Sequence, residues 1–170
     1  MEWKELLYGG VIGGVVGFSV QKIFEIVISF NSNKGFPYLG THHCYYYSTT
    51  GNGEVVHEVW EIKRTLLGLI RLQISEPEAT DNECSFKGKV WVEGRHIYAF
   101  ASGVKHVEHI FHIFPEPVTS RLGQTVGVAS ALTMKKQPWC GKQLLSSEQL
   151  EEKYIRLILG NERKIVSTFT

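Results

Sequence analysis

The longest apolar run of the chain is LLYGGVIGGVVGFSVQKIFEIVISF, residues Leu6 to Phe30, and no charge falls between Leu6 and Val20. At about 1.5 Å per residue, a helix over the whole stretch reaches roughly 37 Å, enough to cross a hydrocarbon core of about 30 Å. On a helical wheel Gly10, Gly14, Gly17, Gln21 and Glu25 share one face with Gly13 beside it, while Ile12, Val16, Ile23 and Val27 line the other. Small residues at four-residue spacing let helix backbones approach closely inside lipid. In water each of those glycines costs about 1 kcal/mol against alanine. The pattern therefore predicts a single transmembrane helix over residues 1–30 that self-associates through Gly10, Gly13, Gly14, Gly17, Gln21 and Glu25. The mixed charges of Met1–Glu5 and the lack of a small-residue cleavage site argue against a signal peptide.

Beyond a polar hinge at residues 31–38 the period changes from helical to two. Short runs rich in β-branched and aromatic residues occupy Gly40–Tyr47, Val55–Lys63, Leu66–Ile74, Phe86–Val92, His96–Ser102, Val107–Phe114 and Gln124–Lys135. Turn-forming sequences separate them, among them Thr50-Gly51-Asn52-Gly53, Glu93-Gly94 and Pro115-Glu116-Pro117. Val90 and Val92 alternate with Lys89, Trp91 and Glu93, and Val107, Phe111 and Ile113 alternate with Glu108 and His112. Ser146, three residues before Gln149, reads as a capping box for a helix over 147–159 with a stripe of Leu150, Tyr154, Leu157 and Ile158. The tail KIVSTFT alternates like a last strand. A meander of this length avoids exposed strand edges by closing on itself. The expected fold is thus an N-terminal transmembrane helix followed, over 39–170, by a small all-β antiparallel barrel, lipocalin-like and of about eight strands, with one C-terminal helix.

Charge narrows the partners. Eighteen Lys and Arg against 17 Asp and Glu give a net charge of +1, so no global basic field points to duplex nucleic acid. Lys22, Lys34, Lys63 and Arg64 outweigh Lys4, which places the barrel in the cytoplasm and the chain in the membrane as a single-pass protein. Cys44, Cys84 and Cys140 are odd in number and far apart, unlike a disulfide framework and consistent with a reducing compartment.

Catalytic signatures are missing: there is no G-x-S-x-G, P-loop or dinucleotide fingerprint, and an enzyme is not expected. Nor is a metal or other cofactor. His106-x-x-His109-x-x-His112 would send His109 to the strand face opposite His106 and His112. Glu58 and Glu61 likewise fall on opposite faces. What remains is aromatic and cationic: Tyr45, Tyr47, Trp60, Lys63, Arg71, Trp91, Tyr98, His109, Arg121 and Lys135. Aromatic planes stack on bases and Lys or Arg meets phosphates, so Tyr45, Lys63, Arg71, Trp91, Tyr98 and His109 are the candidate ligand-binding residues. Arg71 stands out because it interrupts the apolar run LLGLIRLQI.

The order of parts, with GTHHCYYY opening the barrel and EVWEIKRTLLGLIRLQI and FKGKVWVEGRHIYAFAS following, resembles the membrane β-barrel effectors of bacterial anti-phage immunity found in CBASS and related systems, Hailong-type systems included. Those CBASS effectors carry two transmembrane helices, whereas this chain has room for one. The resemblance implies an inner-membrane homo-oligomer, a tetramer or larger. Its barrel would bind a cyclic dinucleotide or short oligonucleotide made by a cognate nucleotidyltransferase, and binding would control assembly or opening of a channel that disrupts the membrane. Two other functions fit the same architecture, a membrane-tethered carrier of an apolar ligand and a structural assembly protein. Lys63, Arg71 or Lys135 directed into the barrel would favour phosphate, and an all-apolar interior would favour lipid.

Overall fold

Period-two alternation, with one face of each run apolar, becomes eight antiparallel strands that close into a barrel in sequence order. They are β1 (Gly40–Tyr47), β2 (Val55–Arg64), β3 (Ile70–Ser75), β4 (Ser85–Glu93), β5 (His96–Gly103), β6 (His109–Pro115), β7 (Gln124–Leu132) and β8 (Pro138–Ser146), followed by helix α1 (Glu152–Leu159). The computed structural model describes residue 21 and residues 36–48, 53–77, 85–105, 107–116, 123–132 and 138–160. The chain divides into two compact units, Met1–Phe36 with Arg64–Leu69 and Pro37–Lys63 with Ile70–Thr170.

Register decides which side chains face inward. Cys44 stands opposite Glu58 on β2 and Leu145 on β8, so β1 contributes His42, Cys44 and Tyr46 to the interior. Leu72 and Ile74 meet Gly88 and Phe86, and Val90 and Val92 meet Ala99 and Ile97. The interior has two walls. Strands β3 to β5 supply an apolar one, with Ile70, Leu72, Ile74, Phe86, Val90, Ile97, Ala99 and Ala101 all buried. Strands β1, β2, β6 and β8 supply a polar one, with His42, Glu58, His112 and Gln143 also buried.

Two glycines mark where strands come too close for a side chain. A Cβ on Gly88 would lie 1.9 Å from the Phe100 carbonyl oxygen, and one on Gly127 would lie 2.2 Å from that of Ile113.

Several expectations need correcting. Residues 66–69 are a turn and β3 begins at Ile70. Strand β7 is described over Gln124–Leu132, and residues 133–135 of the expected run lie outside the described residues. The strand that completes the barrel is Pro138–Ser146, a stretch to which the sequence assigns no strand. In β6 the inward residues are Ile110, His112 and Phe114, so Phe111 and Ile113 face out, the reverse of the expected assignment.

Helix α1 starts at Glu152, and its N-cap Glu151 makes no side-chain cap bond. Ser146 Oγ instead accepts the Glu148 N–H at 3.2 Å. The buried stripe is Ile155 and Leu159, packed on Tyr45 and Leu144 with Leu150 and Ile158 at its margin, while Tyr154 and Leu157 are exposed. The helix thus covers the outer side of the β1–β8 junction. Tyr38, expected at the end of the hinge, is buried, and its hydroxyl donates to Glu116 Oε1 at 3.2 Å.

The membrane span and the expected tail strand at 164–170 lie outside the described residues, apart from Gln21, which is helical and exposed. Among the described residues no helix is long and apolar enough to cross a membrane.

Candidate functional site

Residues that alternate with the buried set on β4, β5 and β6 must face outward, and they are largely aromatic. Trp91, Tyr98 and Ile113 share one cross-strand row, and Lys89, Phe100 and Phe111 share the next. Lys87, Ser102 and His109 form a third.

The rings associate. Trp91 and Tyr98 stack with centroids 5.5 Å apart and planes 15° from parallel. Tyr98 and Phe111 follow at 6.2 Å and 30°, and Phe100 and His109 at 5.9 Å and 14°. Ser102 Oγ and His109 Nδ1 lie 2.9 Å apart, a hydrogen bond that orients the imidazole. Phe100 remains 42% exposed, a large apolar ring left to solvent on an otherwise closed sheet.

Cations border these rings. Lys87 and Lys89 project from β4 between Phe86, Gly88 and Val90, which turn inward. On β3 Arg71 and Gln73 are exposed on the same outer side, with Gln73 opposite Lys87. Tyr98 and Phe100, two residues apart on one strand, are about 7 Å apart along it. That is about twice the ~3.4 Å rise per base of one duplex strand. Such a surface suits bases splayed apart, each on its own ring, with phosphates toward the β3–β4 side.

Of the predicted ligand residues, the fold brings Trp91, Tyr98 and His109 onto this face and Arg71 onto the adjoining strand. Tyr45 is elsewhere: it is buried beneath α1, stacks on His57 at 4.8 Å, and its hydroxyl accepts the Leu150 N–H at 2.9 Å. Lys63 is exposed on β2 and pairs with Glu61 at 2.6 Å. Tyr47 is tied to α1, its hydroxyl donating to the Gly160 carbonyl at 2.8 Å. Arg121, Lys135, Gly10, Gly13, Gly14, Gly17 and Glu25 lie outside the described residues. Sequence reasoning missed Lys87, Lys89, Phe100 and Phe111. The signal was available for three of them, because Lys87, Lys89 and Phe100 share strand parity with Trp91 or Tyr98.

The interior is neither cationic nor all apolar. Glu58, wholly buried, accepts from the Tyr46 hydroxyl at 2.9 Å and from Trp60 Nε1 at 3.0 Å. Burial pushes its carboxyl up to about 7 despite those two donors. His112 Nδ1 lies 2.6 Å from Gln143 Oε1, which makes Nδ1 the donor, and burial pushes the imidazole down to about 4. Among the described residues His112 Nε2 and His42 Nδ1 have no hydrogen-bond partner. The indole of Trp60 meets the His112 ring edge to face at 4.6 Å. Cys44 is buried beside Gln143, and burial holds its thiol well above the usual range, unlike that of a nucleophile. Among the described residues no three His, Cys, Asp or Glu converge on a point that could hold a metal ion.

No protein-family model matches this chain, and no curated protein or solved structure is similar to it.

Proposed function

We propose that this chain is a membrane effector of bacterial anti-phage immunity. Residues 1–30 anchor it as an oligomer, and the cytoplasmic barrel binds a nucleotide-derived signal on the outer face of β4 to β6. The observation that carries the reading is the exposed aromatic tract of Trp91, Tyr98, Phe100, His109 and Phe111 with Lys87 and Lys89 beside it. Stacking accepts any base and the lysines meet phosphate, which is the chemistry that a cyclic dinucleotide or short oligonucleotide presents. The signal then biases how the glycine-faced helices pack, and the resulting opening or disruption of the inner membrane arrests growth.

Lys63 and Arg71 face outward, which supports a surface site over an interior one, while Lys135 lies outside the described residues. Polar Glu58, His112 and Gln143, together with Trp60 and Phe114, occupy an interior that a carrier of apolar ligands would leave open and apolar. An assembly protein, the remaining rival, would use the same face for protein and would bind no nucleotide.

The test is mass spectrometry of nucleotides released from the detergent-purified full chain, followed by calorimetry with cyclic dinucleotides and short single-stranded oligonucleotides. Trp91→Ala is expected to weaken binding about 5- to 150-fold, the loss of one stacked base at roughly 1–3 kcal/mol. Lys89→Ala and Arg71→Ala are expected to weaken it less and to flatten its salt dependence. Undiminished binding by all three variants removes the ligand from this face.

A further inference from the structure

The outward residues of β4 run Lys87, Lys89, Trp91, Glu93, so the aromatic face carries a charge gradient along one strand. From Lys87 to Glu93 the strand rises about 20 Å. At the Glu93 end acid and base alternate: Glu93 stands opposite His96, Arg95 lies in the turn between them, and Glu116 follows the end of β6. At the other end Lys87 and Lys89 are exposed, and Lys105 is exposed just past the end of β5. Among the described residues no carboxylate forms an ion pair with Lys87 or Lys89. Glu108, the acid nearest His109 in the chain, bears on the buried Glu58 carboxyl and raises it.

The cross-strand row at the Lys87 end is Gln73, Lys87, Ser102 and His109, one residue from each of β3 to β6 in register. Every member has a hydrogen to offer. Gln73 carries an amide NH2 and Lys87 an ammonium. Ser102 Oγ and His109 Nδ1 share one hydrogen bond. If the serine donates it, the imidazole keeps its proton on Nε2; if the imidazole donates it, the hydroxyl proton is spare. Either tautomer leaves the pair a donor for a ligand. The rows toward Glu93 offer rings instead, Phe100 and Phe111 beside Lys89 and then Trp91 and Tyr98.

We infer that the Lys87–Ser102–His109 row holds a terminal phosphate of the bound nucleotide, whose bases then lie on Phe100 and on Trp91 with Tyr98. This rests on the nucleotide-binding reading of the β4–β6 face and gives that site a direction and an end group. A phosphomonoester carries a charge of about −1.5 to −2 near pH 7 and three acceptor oxygens, which a row of donors around one ammonium satisfies. A phosphodiester carries one charge and fewer free oxygens. A cyclic dinucleotide has no phosphomonoester to place in the row, and Glu93 repels a phosphate carried to the Trp91 end.

The experiment is calorimetry on the detergent-purified full chain at neutral pH with four probes: the dinucleotide ApA, its 5′-phosphate, its 3′-phosphate, and cyclic di-AMP. One of the two phosphorylated dinucleotides is expected to bind about tenfold more tightly than ApA, and which one it is gives the strand polarity. Cyclic di-AMP is expected to bind no more tightly than ApA. Lys87→Gln should bring the phosphorylated form close to ApA and leave ApA as in the parent, whereas Trp91→Ala should weaken all the dinucleotides alike. Equal binding of ApA and both phosphorylated forms overturns the assignment. So does a phosphate preference that survives Lys87→Gln, cyclic di-AMP binding as tightly as the best linear probe, or a Lys87→Gln variant that loses ApA by the same factor, which would mean that the lysine acts on the fold. When one of these results comes with Trp91→Ala still weakening every probe, the face keeps its nucleotide and loses only its direction. A parent chain that binds none of the four loses both.

Discussion

Glu58 and His112 share one wall of the barrel and pull its stability in opposite directions as pH changes. The folded carboxyl of Glu58, at about 7, lies above the ordinary 4.5, so its contribution is complete below pH 4.5 and is lost as pH rises through 7. Folded His112, at about 4, lies below the ordinary 6.5, so its contribution is complete above pH 6.5 and is lost as pH falls through 4. His42 and His43, also lowered by burial, act in the same sense as His112. Between pH 4.5 and 6.5 Glu58 therefore offsets one histidine. Glu58→Gln is expected to unmask the histidines: its melting temperature should fall more steeply than that of the parent from pH 6.5 to 4.5. Over that window the divergence is roughly 2 kcal/mol. Parallel melting curves would remove the pH role assigned to Glu58. None of this was legible in the sequence, where Glu58 and His112 are polar residues on strands and polar parity reads as outward. On β6 that assumption inverted the strand, because an inward His112 paired with Gln143 sits where the pattern expects solvent.

At the level of elements, β4, with one wet face, was read correctly and β8, covered on both faces, was not. In β4 Val90 and Val92 alternate cleanly with Lys89, Trp91 and Glu93. In β8 Leu145 faces the interior while its neighbour Leu144 lies beneath α1, so the run QLLS has no alternation to read. That is why no strand was read over Pro138–Ser146. The helix stripe slipped for a related reason, since Ile155 and Leu159 touch Tyr45, a partner that no local pattern reveals. The barrel also depends on two strands packed at backbone distance. Gly127→Ala puts a methyl group 2.2 Å from the Ile113 carbonyl oxygen and 2.5 Å from Phe114 Cδ1. It should lower stability by about 1–3 kcal/mol, seen as a lower urea midpoint. Gly123→Ala, with nothing within 4 Å of the added carbon, should stay within about 0.5 kcal/mol of the parent. Equal midpoints for the two would mean that β6 and β7 yield freely.

For the whole molecule, closure was foreseeable from the number of alternating runs, and the identity of the closing strand was not. The candidate face was legible in part. Trp91, Tyr98 and His109 were chosen for their chemistry, but only the register places them on adjoining strands and sends Tyr45 beneath a helix. Self-association belongs to the N-terminal segment in this reading. Gly14→Leu should widen the helix contact and shift the detergent-solubilised chain to a smaller assembly by light scattering, with loss of toxicity in cells. An unchanged assembly and unchanged toxicity would misplace the packing face. The hydrogen bond from Tyr47 to Gly160 has a practical corollary. It holds the last turn of α1 near the finish of β1, so Gly160 lies at the pole of the barrel remote from Gly40. A fluorescent reporter joined after Thr170 would be tethered to that pole through residues 161–170, and in the proposed assembly it would allow subunits to be counted.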